Sequence, residues 1–209
     1  MTSAPSLFFN ITRLISENSI VYPGDTPFSR EHISSCSKGD TCSVCKISMS
    51  NHLGTHMDFP SHFIPDGKTS SDFSLSDFIG PAVVIEIPDD VSIITARHIP
   101  EDLLEGDFVF FKTRNSYLTQ FTENFVALDP TAATALCNKK IKIVGIDYLS
   151  VDPFHDPSFS VHQILLNREI LIIENLFLKE VPPGRYHARI YPLQISHIDG
   201  VPVTVSLEK

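Results

Sequence analysis

The chain has no cluster of Lys and Arg: 16 basic residues against 25 acidic ones leave a net charge of −9. A surface built to neutralise phosphates needs such a cluster, so no nucleic-acid partner is expected. No apolar run approaches the roughly 20 residues of a membrane-spanning helix, and no membrane partner is expected. The opening stretch MTSAPSLFFNITRL lacks a basic region followed by an apolar one, so it does not read as a signal peptide. A cytoplasmic protein is the plain expectation. There is no Gly-x-Ser-x-Gly elbow, which removes the usual support for a serine nucleophile. Internal repeats, linkers and low-complexity tracts are also missing. Cysteine is scarce, at positions 36, 42, 45 and 137. Cys42 and Cys45 make a Cys-x-x-Cys, but TCSVCKISMS reads as a strand, where an offset of three turns the two thiols to opposite faces. They are expected to be unpaired strand thiols with no redox or metal role.

With 209 residues and 23.3 kDa, a single domain over residues 1–209 is expected, large enough for a substantial core. The content of 42% apolar and 20% charged residues is ordinary for a globular chain. β-favouring runs recur at Phe8–Ile11, Ile20–Tyr22, Val44–Met49, Ala82–Ile87, Asp107–Thr113, Ile141–Ile146 and Ile170–Ile173. Two more follow at Arg185–Ile195 and Val201–Leu207, joined at Asp199-Gly200. Turns are marked by Pro23-Gly24-Asp25 and Asp66-Gly67-Lys68, and LSDFIG ends a helical turn at Gly80. Pro100 reads as the start of a short helix over Glu101–Leu104, and Asp129-Pro130 as the cap and first residue of a helix to about Cys137. Ser160 and Gln163 read as a capping box for a helix through Leu166. Strands therefore dominate three short helices, in an α/β or α+β class.

The chemistry concentrates in HLGTHMDFPSHF, His52 to Phe63, which holds three histidines and one aspartate. Neutral imidazole and carboxylate suit zinc, manganese or iron(II). In an extended strand His52 and Asp58 would lie roughly 20 Å apart at about 3.3 Å per residue, too far to share an ion. Gly54 and Pro60 argue against a helix. A turn at Gly54-Thr55 folds His52, His56 and Asp58 around one point, with His62 able to reach the same pocket. A polar loop with solvated histidines is the bland alternative, and the density of ligand-type residues weighs against it. By residue chemistry alone, His162 and Glu174 are only plausible additions. His32, His98, His155, His187 and His197 have no ligand-like neighbour and read as structural or solvated.

The same stretch resembles the His-x-Gly-Thr-His-x-Asp-x-Pro-x-His signature of the metal-dependent cyclase/hydrolase family, which includes kynurenine formamidases (arylformamidases) and isatin hydrolases. VHQILLNREILIIENLFL, GIDYLSVDP, YPGDTP and FKTRNS extend the likeness over nearly the whole chain. The resemblance implies an α/β swivelling β/β/α-type fold with a mixed sheet. It implies one or two divalent ions, zinc or manganese, held by His52, His56, Asp58, His162 and Glu174, with Asp58 bridging. It further implies Asp147 and Ser150 in the pocket wall, Tyr22 or Phe28 against the substrate, and a homodimer or higher homo-oligomer. His62, left without a ligand position, is then the proton shuttle, since an imidazole takes and returns a proton near neutral pH. The implied activity is metal-dependent hydrolysis of a small amide. An aryl formamide such as N-formylkynurenine leads, followed by a cyclic amide such as isatin or another small amide or ester. A metal-stabilised binding protein without turnover is the reading from a different class. Two features depart from the pattern: Thr204 stands where many relatives carry Arg, and HISSCSKGDTCSV matches no part of it.

Overall fold

Short β-branched and aromatic runs broken by Pro, Gly and Asp favour short strands over long helices. The computed structural model, which describes residues 7–209, is built that way. Residues 1–6, part of the opening stretch read above for a leader, lie outside the described residues. The strands are β1 (Phe8–Asn10), β2 (Ser29–Ser34), β3 (Val44–Ser48), β4 (His56–Asp58), β5 (Ile79–Glu86) and β6 (Ile93–Ile94). They continue as β7 (Phe108–Lys112), β8 (Ala127–Leu128), β9 (Ile143–Ile146), β10 (Leu171–Glu174), β11 (Gly184–Pro192) and β12 (Gly200–Glu208). Helix α1 (Pro130–Asn138) precedes β9, and helix α2 (Ser160–Leu166) precedes β10.

Seven strands close into a ring in the order β12-β11-β5-β7-β9-β10-β4, and β4 returns to pair with β12. β1 pairs with the other end of β12. The sheet is mixed: β5, β7, β9 and β10 run parallel, while β4, β11 and β12 pair antiparallel. The strand period of two divides the core. On β7, Phe108 and Phe110 fill the ring, while Val109 and Phe111 pack outward with residues of α1 and α2. This is the α/β class with a mixed sheet, compatible with a swivelling β/β/α fold.

β4 is the strand that positions the site. It has three residues, all buried, and both its edges are paired: His56 stands opposite Glu174 of β10, and Asp58 opposite Gly200 of β12. His56 and Asp58, two apart, share one face, while Met57 between them enters the ring core.

Several local expectations are corrected. Residues 101–104 form no helix: the turn closes earlier, at Ala96–His98, where the Thr95 amide donates to His98 Nδ1 at 2.9 Å. Ile99 is then extended, as the residue before a proline prefers. Among the described residues, two α-helices and several 3-10 turns thus replace three helices. Ile20–Tyr22 is not a strand. The turn over LSDFIG ends at Phe78, and Gly80 already belongs to β5. Helix α2 forms, but not by a Ser160–Gln163 box; Asp152 accepts the amides of Val161 and His162 at 2.7 and 3.0 Å. Cys45 lies on β3, whereas Cys42 lies in the bend before it, so their offset implies no opposition of faces. All four cysteines are free, and Cys45 Sγ lies 3.3 Å from His32 Nδ1 across the hairpin.

Candidate metal centre

Gly54, at φ +73°, makes the turn that brings His52 back over β4. There His52 Nδ1 lies 2.9 Å from Asp58 Oδ1, and His56 Nε2 lies 3.4 Å from the same oxygen. Asp58 Oδ2 faces the other way, 3.5 Å from His162 Nε2, and is a buried oxygen with no hydrogen-bond partner. Glu174 closes the set, with Oε1 3.2 Å from His162 Nε2 and Oε2 3.4 Å from His56 Nε2. The five residues drawn from the sequence therefore meet in one place, and the Asp58 carboxylate stands between the imidazoles of His52 and His56 on one side and that of His162 on the other.

Partners outside the cluster set the tautomers. His56 Nδ1 donates to the Gly54 carbonyl at 2.9 Å, and His162 Nδ1 to Asp152 Oδ2 at 2.6 Å. Each ring is left with Nε2 turned to the carboxylates, the arrangement by which a second residue orients an imidazole for a cation. The Val151 amide donates to Glu174 Oε1 at 2.8 Å. Burial pushes the Asp58 carboxyl up, but His56, His162 and His52 outweigh it and hold it well below the usual range. Burial lowers His52, yet its bonds to Asp58 and Asp199 lift it to about 9. An orphaned buried carboxylate oxygen among converging imidazole nitrogens is the donor set of a divalent metal site.

His62 follows Pro60 in a 3-10 turn, stacked on His52 with ring centroids 4.1 Å apart. Its Nδ1 lies 3.2 Å from Asp199 Oδ2, and burial lowers its pKa. Its ring also comes within ligand range of Asp58 and His162, so geometry allows a third imidazole donor. Tyr22 packs on Phe154 at 5.8 Å, and its phenol is raised by burial and then by Glu174, which places it near the cluster. Phe28 is half-buried before β2, with no ring partner among the described residues. Asp147 does not line the cluster: its carboxylate accepts from the amides and hydroxyls of Thr113 and Ser116. Ser150 Oγ accepts the Asp152 amide at 3.1 Å and so steadies the residue that orients His162.

The residue reading missed Asp199 and Asp152. Asp199 Oδ2 lies 2.9 Å from His52 Nε2 as well as near His62, but Asp199-Gly200 reads as a strand turn. Asp152 stood within GIDYLSVDP, where its role as partner of His162 had no local signal.

A family model described as "Putative cyclase" matches residues 9–153. The chain belongs to the cyclase family. A curated family relative, the kynurenine formamidase of Bacillus cereus, is 34% identical over 200 residues, 95% of each chain. The solved structure of a "predicted metal-dependent hydrolase" from Bacillus stearothermophilus superposes with a TM-score of 0.87 at 33% identity, covering 98% of this chain and 99% of that one. Isatin hydrolase A of Labrenzia aggregata shares the cyclase fold, with a TM-score of 0.85 at 24% identity over 97% of this chain and 93% of its own. No helix among the described residues is long and apolar enough to cross a membrane.

Proposed function

We propose that this protein is a metal-dependent amidohydrolase that cleaves an aryl formamide, converting N-formylkynurenine to kynurenine and formate. The observation that carries the reading is the convergence of His52, His56, Asp58, His162 and Glu174, with Asp58 Oδ2 buried and unpartnered. Relatives that match nearly the whole chain and are called kynurenine formamidase support the substrate class. His52, His56 and Asp58 would hold one ion, and Asp58, His162 and Glu174 a second, zinc or manganese. Held there, a divalent ion would supply water acidified to a pKa of about 7 and Lewis-acid polarisation for the acyl oxygen.

Amide hydrolysis adds water across the C–N bond, so one proton leaves the water and one must reach the departing nitrogen. His62 is read as the group that carries it. Its Nδ1–H donates to Asp199, leaving Nε2 to take and return a proton, and its lowered pKa keeps that nitrogen unprotonated at neutral pH. Tyr22 and Phe154 offer an aromatic wall for the aryl group. A homodimer or higher homo-oligomer fits the β2–β3 hairpin, which leaves Ile33, Val44 and Ile47 at 61%, 46% and 62% exposure. A two-stranded hairpin is marginal unless something packs on it. Exposed free thiols suit a reducing compartment such as the cytoplasm.

Metal-loaded protein assayed against N-formylkynurenine, isatin and a simple aryl ester tests the reading. Formamide cleavage should dominate. Ring opening of isatin at a higher kcat/KM would reassign the substrate, and no turnover of any of the three would leave a binding protein.

A further inference from the structure

A cavity of about 490 Å³ is lined by none of the five metal-site residues but by residues next to them in the chain. Its lining includes Gly54, between His52 and His56, and Asn175, which follows Glu174, together with Arg13 from the N-terminal segment. We propose that this cavity binds a small organic carboxylate, anchored by the Arg13 guanidinium and the Asn175 side-chain amide, at a site separate from the metal centre.

Arg13 is half-buried, and its buried Nε has no hydrogen-bond partner among the described residues. Nη2 donates to the main-chain carbonyl of Asp147 at 3.1 Å. The Asp147 carboxylate itself accepts from Thr113 and Ser116, so its charge favours the Arg13 guanidinium from a distance without a direct ion pair. A guanidinium removed from water without an ion-paired carboxylate is costly and calls for an anion. Asn175 supplies a second, independent donor: it is 3% exposed, and its Nδ2 has no partner. Its backbone is held at φ +58° by the Tyr148 carbonyl, which accepts its amide at 2.8 Å, and by the Thr55 hydroxyl, which donates to its carbonyl at 2.6 Å.

The planar fork of an arginine matches the two oxygens of a carboxylate. Leu14, Ile20, Leu118 and Phe177 provide apolar surface for a compact hydrocarbon body, and the volume falls in the usual range for small-molecule sites. Arg13 is the one cation in the lining among the described residues, and in a chain of net charge −9 this favours a monoanion over a phosphate. The Arg13 amide also donates to Thr55 Oγ1 at 2.8 Å, so one hydroxyl ties the cavity's arginine to both segments that carry metal-site residues.

Titration calorimetry with benzoate, and with benzamide as the uncharged control, tests the proposal on metal-loaded protein and on three variants. Benzoate can also reach a metal, so Asp58→Ala removes that contribution. The expected result is a saturable benzoate site that survives Asp58→Ala and weakens at least about ten-fold in Arg13→Gln, the size of one charge-assisted hydrogen bond. Leu118→Trp, which fills the cavity without touching the donors, should weaken it as much and carries the test if Arg13→Gln does not fold. Benzamide should bind at least about ten-fold more weakly than benzoate. Loss of benzoate binding in Asp58→Ala alone, equal affinity in Leu118→Trp, or equal binding of benzamide would each overturn the proposal. The proposal does not rest on the amidohydrolase reading, because none of these readouts is turnover.

Discussion

Gly200→Ala probes the seat of His52 without altering any ligand-type residue. Gly200 opens β12 opposite Asp58, and its backbone is not in the left-handed region, so alanine carries no conformational penalty there. The obstacle is space. An added Cβ would lie 2.3 Å from His52 Cε1 and 2.8 Å from Nε2. Carbon atoms settle at about 3.5 Å or more, so the ring must retreat by about 1 Å. β12 is paired at this point with β4, so the imidazole gives way before the backbone does. A displacement of about 1 Å exceeds the roughly 0.5 Å within which a ligand set keeps its geometry. It also strains the bonds of His52 to Asp58 and Asp199, both 2.9 Å long. Overpacking of this kind costs about 1–3 kcal/mol, and disturbing a ligand's support typically costs 10–100-fold in metal affinity. The expected outcome is a folded variant, with a thermal midpoint lowered by about 2–12 °C, that loses metal to a competing chelator about 10–100-fold more readily than wild type. Chelator competition followed by elemental analysis reads this directly. Wild-type metal affinity in folded Gly200→Ala would refute the placement of His52 in the centre.

Three further outcomes follow from the same geometry. His62→Ala should keep near-native metal content while kcat falls about 10²–10⁴-fold, as loss of a general acid–base group does; metal lost in proportion to activity would make His62 a ligand, and a small change in both would make it part of the wall. Asp58→Ala should remove both ions together, because its two oxygens face different imidazoles, whereas His162→Ala should empty one site only; equal metal retention by elemental analysis would end the two-ion assignment. Burial raises the Asp147 carboxyl to about 6 from an ordinary value of 3.8, even against its bonds from Ser116 and Thr113. The folded state therefore binds this proton more tightly than the unfolded chain, and the contribution is complete below about pH 4 and lost as pH rises through about 6. About two pKa units correspond to roughly 3 kcal/mol at most. Urea unfolding of wild type and Asp147→Asn at both ends of that window should show this decline in wild type alone, and parallel curves would refute it.

The local segment from His52 to Asp58 was legible because short-range geometry governs it. A glycine turn returns His52, and the two-residue strand period places His56 and Asp58 on one face. The helix at Pro130–Asn138 was equally legible, since Asp129 accepts the Ala132 amide as an N-cap should. Where other groups took the capping roles, local reading failed. Asp156 accepts the Ser160 amide and hydroxyl and the Gln163 side chain donates to Ser158, so no Ser160–Gln163 box forms on α2, and the bond between Thr95 and His98 closed a turn ahead of Pro100. What only the tertiary structure decided is the meeting of distant segments. Glu174 reaches His56 because β10 pairs with β4, and Asp199 reaches His52 from 147 residues away because β12 closes the ring on the other edge. Strand pairing of that range leaves no periodic trace in the chain, because it depends on which edge remains unpaired once the rest of the sheet has formed. The sequence by itself determined the ligand-type residues and the turn that gathers three of them. The pairing of β10 and β12 with β4 determined that Glu174 and Asp199 stand beside those three, and the bonds of α2 to Asp152 that His162 joins them.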